Sequence, residues 1–150
     1  MTFRKTVTFE PIGYARSPFK ERPAQGWSEV VSQIILRDNL AEGLEDLEGF
    51  SHIQVLFWLH RMRKGKELSL KIHPMGRQEL PLVGLFATRS PHRPNPIGLT
   101  TAELLKREGN VLTVRGLDAE DDTPILDIKT YIPGYDGPPE AKVPPWIGRL

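Results

Sequence analysis

Apolar and polar residues alternate at short range along most of the chain, and a period of two predicts strands. Val7 and Phe9, then Ile12 and Tyr14, form an extended opening segment. Pro11 places that segment at an edge or a bulge, because proline has no N–H to give to a sheet ladder. Val30-Val31 and Ile34-Ile35-Leu36 make a β-branched run bounded by polar residues. Residues 53–59 are almost continuously apolar, which predicts a strand buried on both faces with Phe57 and Trp58 in the core. Leu68, Leu70 and Ile72 alternate with Ser69 and Lys71, the pattern of a half-exposed strand. Residues 83–87 form another short apolar run, and 97–105 and 111–114 flank Glu108-Gly109-Asn110 as a hairpin turning at Gly109. A last strand runs over 125–132. Only Leu40, Leu44 and Leu47 have helical spacing, with Asn39 as the cap. Seven or so closely spaced strands and one short helix predict a mainly β fold, a sandwich or a barrel.

Composition narrows this picture. The 150 residues suit one domain, with no internal repeat or linker. Proline-rich residues 137–145 suit an extended tail along the surface, with Trp146 docking it. The absence of cysteine excludes disulfides and Cys-ligated zinc or iron–sulfur centres. No apolar run approaches the roughly 18 residues of a membrane span, and Met1 to Lys5 lead into no signal-peptide block, so a cytoplasmic location is expected. The net charge of +1 conceals two blocks. Residues 61–93 hold eight Lys/Arg against Glu67 and Glu79, whereas 115–140 hold two basic and seven acidic residues. Such blocks suit either a basic binding face opposite an acidic one or two solvated faces.

Familiar catalytic motifs are missing. No G-x-G loop is present, which disfavours a Rossmann cofactor site, and His52, His60, His73 and His92 lack zincin spacing, so no metal is expected. Residues 84–98 stand out instead. Pro91, Pro94 and Pro96 fix the backbone around Arg89, His92, Arg93 and Asn95, and rigid donors of this kind suit a carboxylate or phosphate. The same features also describe a stiff connection with surface arginines. In the last strand Asp127, Lys129 and Tyr131 share one face and Leu126, Ile128 and Ile132 the other. The polar set is either a proton-handling group or an ion pair on a solvated sheet. Trp27 has two readings, a stacking partner for adenine or a loop anchor.

The run Phe86-Ala87-Thr88-Arg89-Ser90-Pro91-His92-Arg93-Pro94-Asn95-Pro96-Ile97-Gly98 closely resembles the signature of the TrmO (YaeB-like, VirR-related) family. Those proteins are S-adenosylmethionine-dependent methyltransferases of N6-threonylcarbamoyladenosine (t6A37) at position 37 of tRNA. Ile12-Gly13 with Arg16-Ser17-Pro18-Phe19-Lys20-Glu21, Leu44-Glu45-Asp46-Leu47-Glu48-Gly49-Phe50-Ser51-His52-Ile53, and the stretch from Leu117-Asp118 to Tyr131 match further blocks in order. The resemblance implies a compact single-domain β-barrel over residues 1–136, a tail over 137–150, and a homodimer with the cofactor near the subunit interface.

By motif, the implied contacts to S-adenosyl-L-methionine are Gln25, Gly26 and Trp27; His60 and Arg61; Arg89 and Leu99; and Arg115, Gly116, Leu117 and Asp118. Arg89, Arg93 and Asn95 are expected to hold the tRNA substrate, and Asp127, Lys129 and Tyr131 to be catalytic. In those roles Asp118 orients the cofactor's amino or hydroxyl groups, Asp127 orients Lys129, and Lys129 with Tyr131 assists loss of the N6 proton. Longer bacterial members carry a C-terminal extension with no counterpart here. A methyltransferase of a non-tRNA substrate and a non-catalytic RNA-binding module therefore stay open.

Overall fold

A computed structural model describes residues 6–62, 65 and 67–150. Arg63, Lys64 and Lys66 of the basic block, and the opening residues 1–5, lie outside the described residues. Although the sequence shows no linker, the chain packs as two compact units, Met1–Leu59 with Gly98–Tyr131 and His60–Ile97 with Ile132–Leu150.

The first unit is a barrel of six strands: β1 (Gly13–Arg16), β2 (Val31–Leu36), β3 (His52–Trp58), β6 (Ile97–Glu108), β7 (Val111–Arg115) and β8 (Pro124–Thr130). They close in the order β1-β2-β7-β6-β3-β8. Closure leaves the alternating side chains facing either the interior or the outside. Ile34, Ile53, Val55, Leu112, Val114 and Ile125 fill the interior and are completely buried. Leu44 joins this core from one side of the chain order, and Leu117 and Ala119 from another. Among the described residues Ser32 Oγ is a buried side-chain oxygen that lacks a hydrogen-bond partner.

The hairpin predicted at Gly109 is β6–β7, with Glu108 opposite Val111. Asn110 fastens it to the end of β2, donating from Nδ2 to the Leu36 carbonyl (2.7 Å) and to Asp38 Oδ1 (2.9 Å). Other expectations change. The Leu40–Leu44–Leu47 spacing is realised as two short 3₁₀ turns, Asp38–Leu44 and Leu47–Gly49, instead of one short α-helix. Asp46 between them adopts φ +63°, which ends any continuous helix, and Asn39 is not the cap. β3 is buried on its Ile53, Val55 and Phe57 face only; Trp58 is 41% exposed and is not a core residue. Val7 and Phe9 precede β1 as exposed chain outside any strand.

The second unit contains β4 (Lys71–Ile72) and β5 (Val83–Gly84), so only the end of the predicted 68–72 strand pairs. Leu80 and Leu85 are buried here. The tail also belongs to this unit and ends in a 3₁₀ turn, Pro145–Arg149, whose Arg149 carbonyl accepts a hydrogen bond from Arg77.

Close approach sets one requirement on the barrel wall. A Cβ on Gly98 would overlap the ring of Phe57, which is itself buried. Gly98→Ala is expected to lower stability by about 1–3 kcal/mol, read as a lower urea midpoint at unchanged m-value, because a core ring must leave its rotamer. An unchanged midpoint would show that the ring yields freely.

Candidate active site

Two of the segments expected to contact a cofactor are joined at one rim of the barrel. The turn after β7 carries Arg115, Gly116, Leu117 and Asp118. Arg115 Nη1 donates to Glu103 Oε2 across the β6–β7 ladder (2.9 Å), and Leu117 inserts into the core. Gly116 has φ +83°, a conformation that a side chain disfavours, and its N–H donates to the Val30 carbonyl (2.9 Å). That bond ties the turn to the 23–30 loop. The loop itself is closed by Gly26 N–H to Pro23 O (3.0 Å) and Val30 N–H to Trp27 O (3.0 Å).

Trp27 is 8% exposed and meets the Phe19 ring edge-on at 6.4 Å, so it serves as the loop anchor of its two readings. Gln25 and Asp118 remain on the surface. The bond from Asp121 N–H to Phe19 O (2.9 Å) holds the 17–30 and 116–123 stretches together. Leu99, 42% exposed, lies on the part of β6 that runs past its pairing with β7, toward this same rim.

Asp127, Lys129 and Tyr131 present a second cluster. Asp127 lies opposite Leu56 and Ile125 opposite Phe57, so Leu126 is an extra residue in β8. This bulge corrects the simple alternation that grouped Leu126 with Ile128, and sets Asp127 and Lys129 on the outward face beside Leu56 and Gln54. Asp127 Oδ2 meets Lys129 Nζ at 2.8 Å while its Oδ1 accepts the Ile128 N–H (2.9 Å). The hydrogen bond that Lys129 donates to Asp127, and then the Asp127 charge, raise the Lys129 pKa above the ordinary 10.5. Lys129 is therefore an ammonium at neutral pH and holds its proton. Tyr131 follows, its N–H donating to His52 O (3.2 Å) and its ring edge-on to His52 at 6.4 Å. The sequence reading assigned no role to His52; its place in a matched block was the available signal, but only strand pairing brings it to Tyr131.

These two clusters occupy different ends of the barrel. Gly13 pairs with Ile125 and with Leu36, and Val31 with Arg115, so the β7–β8 connection and the β1–β2 loop share one rim. Thr130 pairs with Ile53 at the opposite rim, beside the 3₁₀ turns. Seven residues of β8 span about 20 Å between them. A cleft of about 400 Å³ opens at the second rim, with Asp127, Ile128 and Thr130 along one side and Leu36, Leu40 and Leu47 among its apolar lining. None of the expected cofactor contacts of this unit lines it.

His60, Arg61, Arg89, Arg93 and Asn95 belong to the second unit. Arg93 serves its own loop, donating from Nη1 to the carbonyls of Thr88 (3.0 Å) and Ser90 (3.2 Å), with its guanidinium 5.6 Å from the Phe86 ring centre. Arg89 and Asn95 are exposed on the same proline-stiffened loop. The charge blocks follow the division of the chain: the second unit holds 10 Lys/Arg and 4 Asp/Glu, the first 10 and 15.

A closed antiparallel barrel with anchored loops at its rims, and no Gly-rich dinucleotide turn in the sequence, defines a small-barrel protein outside the Rossmann class. Residues 14–137 match the model of the tRNA-methyltransferase O N-terminal domain, and the chain belongs to that family. It is 46% identical over 134 residues to an S-adenosyl-L-methionine-binding protein of Archaeoglobus fulgidus, a match covering 87% of this chain and 93% of that one. It is 41% identical over 146 residues to the human tRNA (adenine(37)-N6)-methyltransferase, covering 90% of this chain but 32% of the human one. The crystal structure of TrmO from Pseudomonas aeruginosa superposes with a TM-score of 0.73 at 33% identity, covering 91% of this chain and 61% of that one. The chain thus spans about a third of the human relative and under two thirds of the bacterial one.

Asp127→Asn removes the charge that holds the Lys129 proton. Titration of the Lys129 side chain by NMR is expected to show a midpoint above 10.5 in the wild type and a fall toward 10.5 in the variant. The pair's contribution to stability is present below the unfolded lysine pKa and disappears as pH rises through the folded one. Equal midpoints in both proteins would show that the pair does not form in solution.

Proposed function

We propose that the protein is a cytoplasmic, homodimeric methyltransferase that uses S-adenosyl-L-methionine to methylate N6 of N6-threonylcarbamoyladenosine at position 37 of tRNA. The observation that carries this reading is the junction of the 23–30 loop with the 115–118 turn through Gly116 N–H and Val30 O, in a chain of this family. The donor set fits the cofactor. Asp118 offers a carboxylate to amino or hydroxyl groups, Gln25 an amide, Gly26 bare backbone at φ +79°, and Leu99 an apolar contact. The acidic balance of this unit also favours a cation.

When bound, S-adenosylmethionine supplies an electrophilic methyl group on a positively charged sulfur. The chain's own residues orient the acceptor and manage its charge, and orientation alone accounts for as much as roughly 7–11 kcal/mol of such a barrier. Asp127 aims Lys129, which acts as a fixed positive charge because its proton is held. Tyr131, braced by His52, provides the hydroxyl that hydrogen-bonds the reacting nitrogen and assists loss of its proton. Arg89 and Asn95 meet the acceptor's carboxylate or a neighbouring phosphate, and Arg93 keeps their loop in shape.

The separation of the rims supports the homodimeric reading. One barrel holds Asp118 and Tyr131 at opposite ends, so a two-fold pair that sets one copy's cofactor rim against its partner's triplet completes two equivalent sites.

Incubation with methyl-labelled S-adenosylmethionine and tRNA bearing the threonylcarbamoyl group is expected to yield label in that nucleoside after digestion, and none with tRNA lacking the group. Cofactor binding with no labelled RNA would favour another acceptor, and RNA binding with no transfer a non-catalytic module. Asp118→Ala and Lys129→Ala are each expected to be inactive, whereas their equimolar mixture should regain about a quarter of wild-type activity, since half the dimers carry one intact composite site. A mixture that stays inactive, with both variants folded and exchanging subunits, would place each site within one copy.

A further inference from the structure

Phe86 is 73% exposed, so its ring is open to a ligand from solvent. Its backbone is firmly placed. It sits in the 3₁₀ turn Leu85–Ala87, whose Leu85 is buried and donates its N–H to the Leu70 carbonyl (2.9 Å). Thr88 returns to the Leu85 carbonyl from both its N–H (3.1 Å) and its Oγ1 (2.7 Å). The Arg93 guanidinium lies over the ring and is itself fixed by the Thr88 and Ser90 carbonyls. Pro91 and Pro94 stiffen the chain that delivers it. The result is an exposed aromatic plate, backed by a cation, in the unit that carries a net +6 from 10 basic and 4 acidic residues.

We propose that Phe86, supported by Arg93, is a stacking platform for one unpaired base of the RNA substrate; this rests on the tRNA reading above. A bare π-face beside positive charge is the combination that holds single-stranded nucleic acid, since every base has a face to stack and a phosphate nearby. The basic balance of the unit and the guanidinium already in place favour such a polyanion over an apolar protein surface. Phe86 thereby grips the anticodon loop.

The test measures binding of an anticodon stem-loop RNA to the full chain by fluorescence anisotropy. Phe86→Ala is expected to weaken binding roughly tenfold and Phe86→Trp to retain it, because indole also stacks. S-adenosylmethionine affinity by calorimetry should not change, nor should the slope of log affinity against log salt, because no phosphate contact is removed. In a series of RNAs with one abasic position each, the Phe86→Ala loss should vanish for a single loop position. Wild-type binding with no loss in Phe86→Ala, or an equal loss at every abasic position, would overturn the platform alone. A change in association state with RNA affinity intact would overturn it in favour of a protein contact. Failure of the wild type to bind the RNA would instead overturn the tRNA reading on which it rests.

Discussion

Closure of six short strands around a solid interior determines where chemistry can occur in this chain. A small six-stranded barrel has room inside only for its own side chains, and here completely buried aliphatic residues from four of the six strands meet there. Ligands are left the outer faces, the rims and whatever is inserted between strands. The rims are secured with some care. Leu117 and Ala119 enter the core from the β7–β8 connection and Leu44 from the 3₁₀ turn before β3, so both connections are fixed by burial even though they contain no long helix or strand. Loops anchored in this way supply positioned backbone and polar groups without a large entropy cost on binding.

The two units differ in charge balance, the first acidic and the second basic. A cationic cofactor is favoured by the acidic excess of the barrel unit, and a polyanionic acceptor by the basic excess of the other. A net charge of +1 for the whole chain hides this difference between the units. The proline-stiffened loop then has two kinds of arginine within a few residues. Arg93 turns inward on its own carbonyls and stacks on Phe86, while Arg89 is exposed; the difference lies in backbone geometry, not residue type.

Much of the barrel was legible because alternation reports directly on which face is buried. Strand β2, the hairpin at Gly109 and the polar face of β8 all follow from period-two spacing. Three features escaped it for distinct reasons. Leucines spaced at i, i+4 and i+7 serve a pair of 3₁₀ turns as well as a helix, and the left-handed Asp46 that decides between them has no unique sequence mark. An apolar run reads as doubly buried whether or not something covers its second face, so Trp58 looked like core. Register was the largest gap. The extra residue at Leu126 and the pairing of Thr130 with Ile53 place Tyr131 beside His52 and away from Asp118, and no periodicity encodes a partner strand. The 23–30 and 115–118 segments that the motifs mark are joined by a backbone bond, whereas Tyr131 lies at the other rim, which no motif encodes.

That separation has a consequence for how the chain's residues divide their work. The two rims stand about 20 Å apart along β8, so substitutions at one should leave the other nearly undisturbed. Asp118 stands in the turn tied to the 23–30 loop, and the Asp127–Lys129 pair stands on β8, with Asp127 lining the cleft at the other rim. The raised pKa of Lys129 sharpens this division further. An ordinary lysine is already an ammonium near neutrality, and the hydrogen bond to Asp127 and its charge move Lys129 further in that direction, so it stands as a permanent charge and not as a proton acceptor. In the proposed reaction the acceptor's proton would then leave through a neighbouring oxygen or solvent, and any contribution of the lysine to rate should be nearly independent of pH across the neutral range.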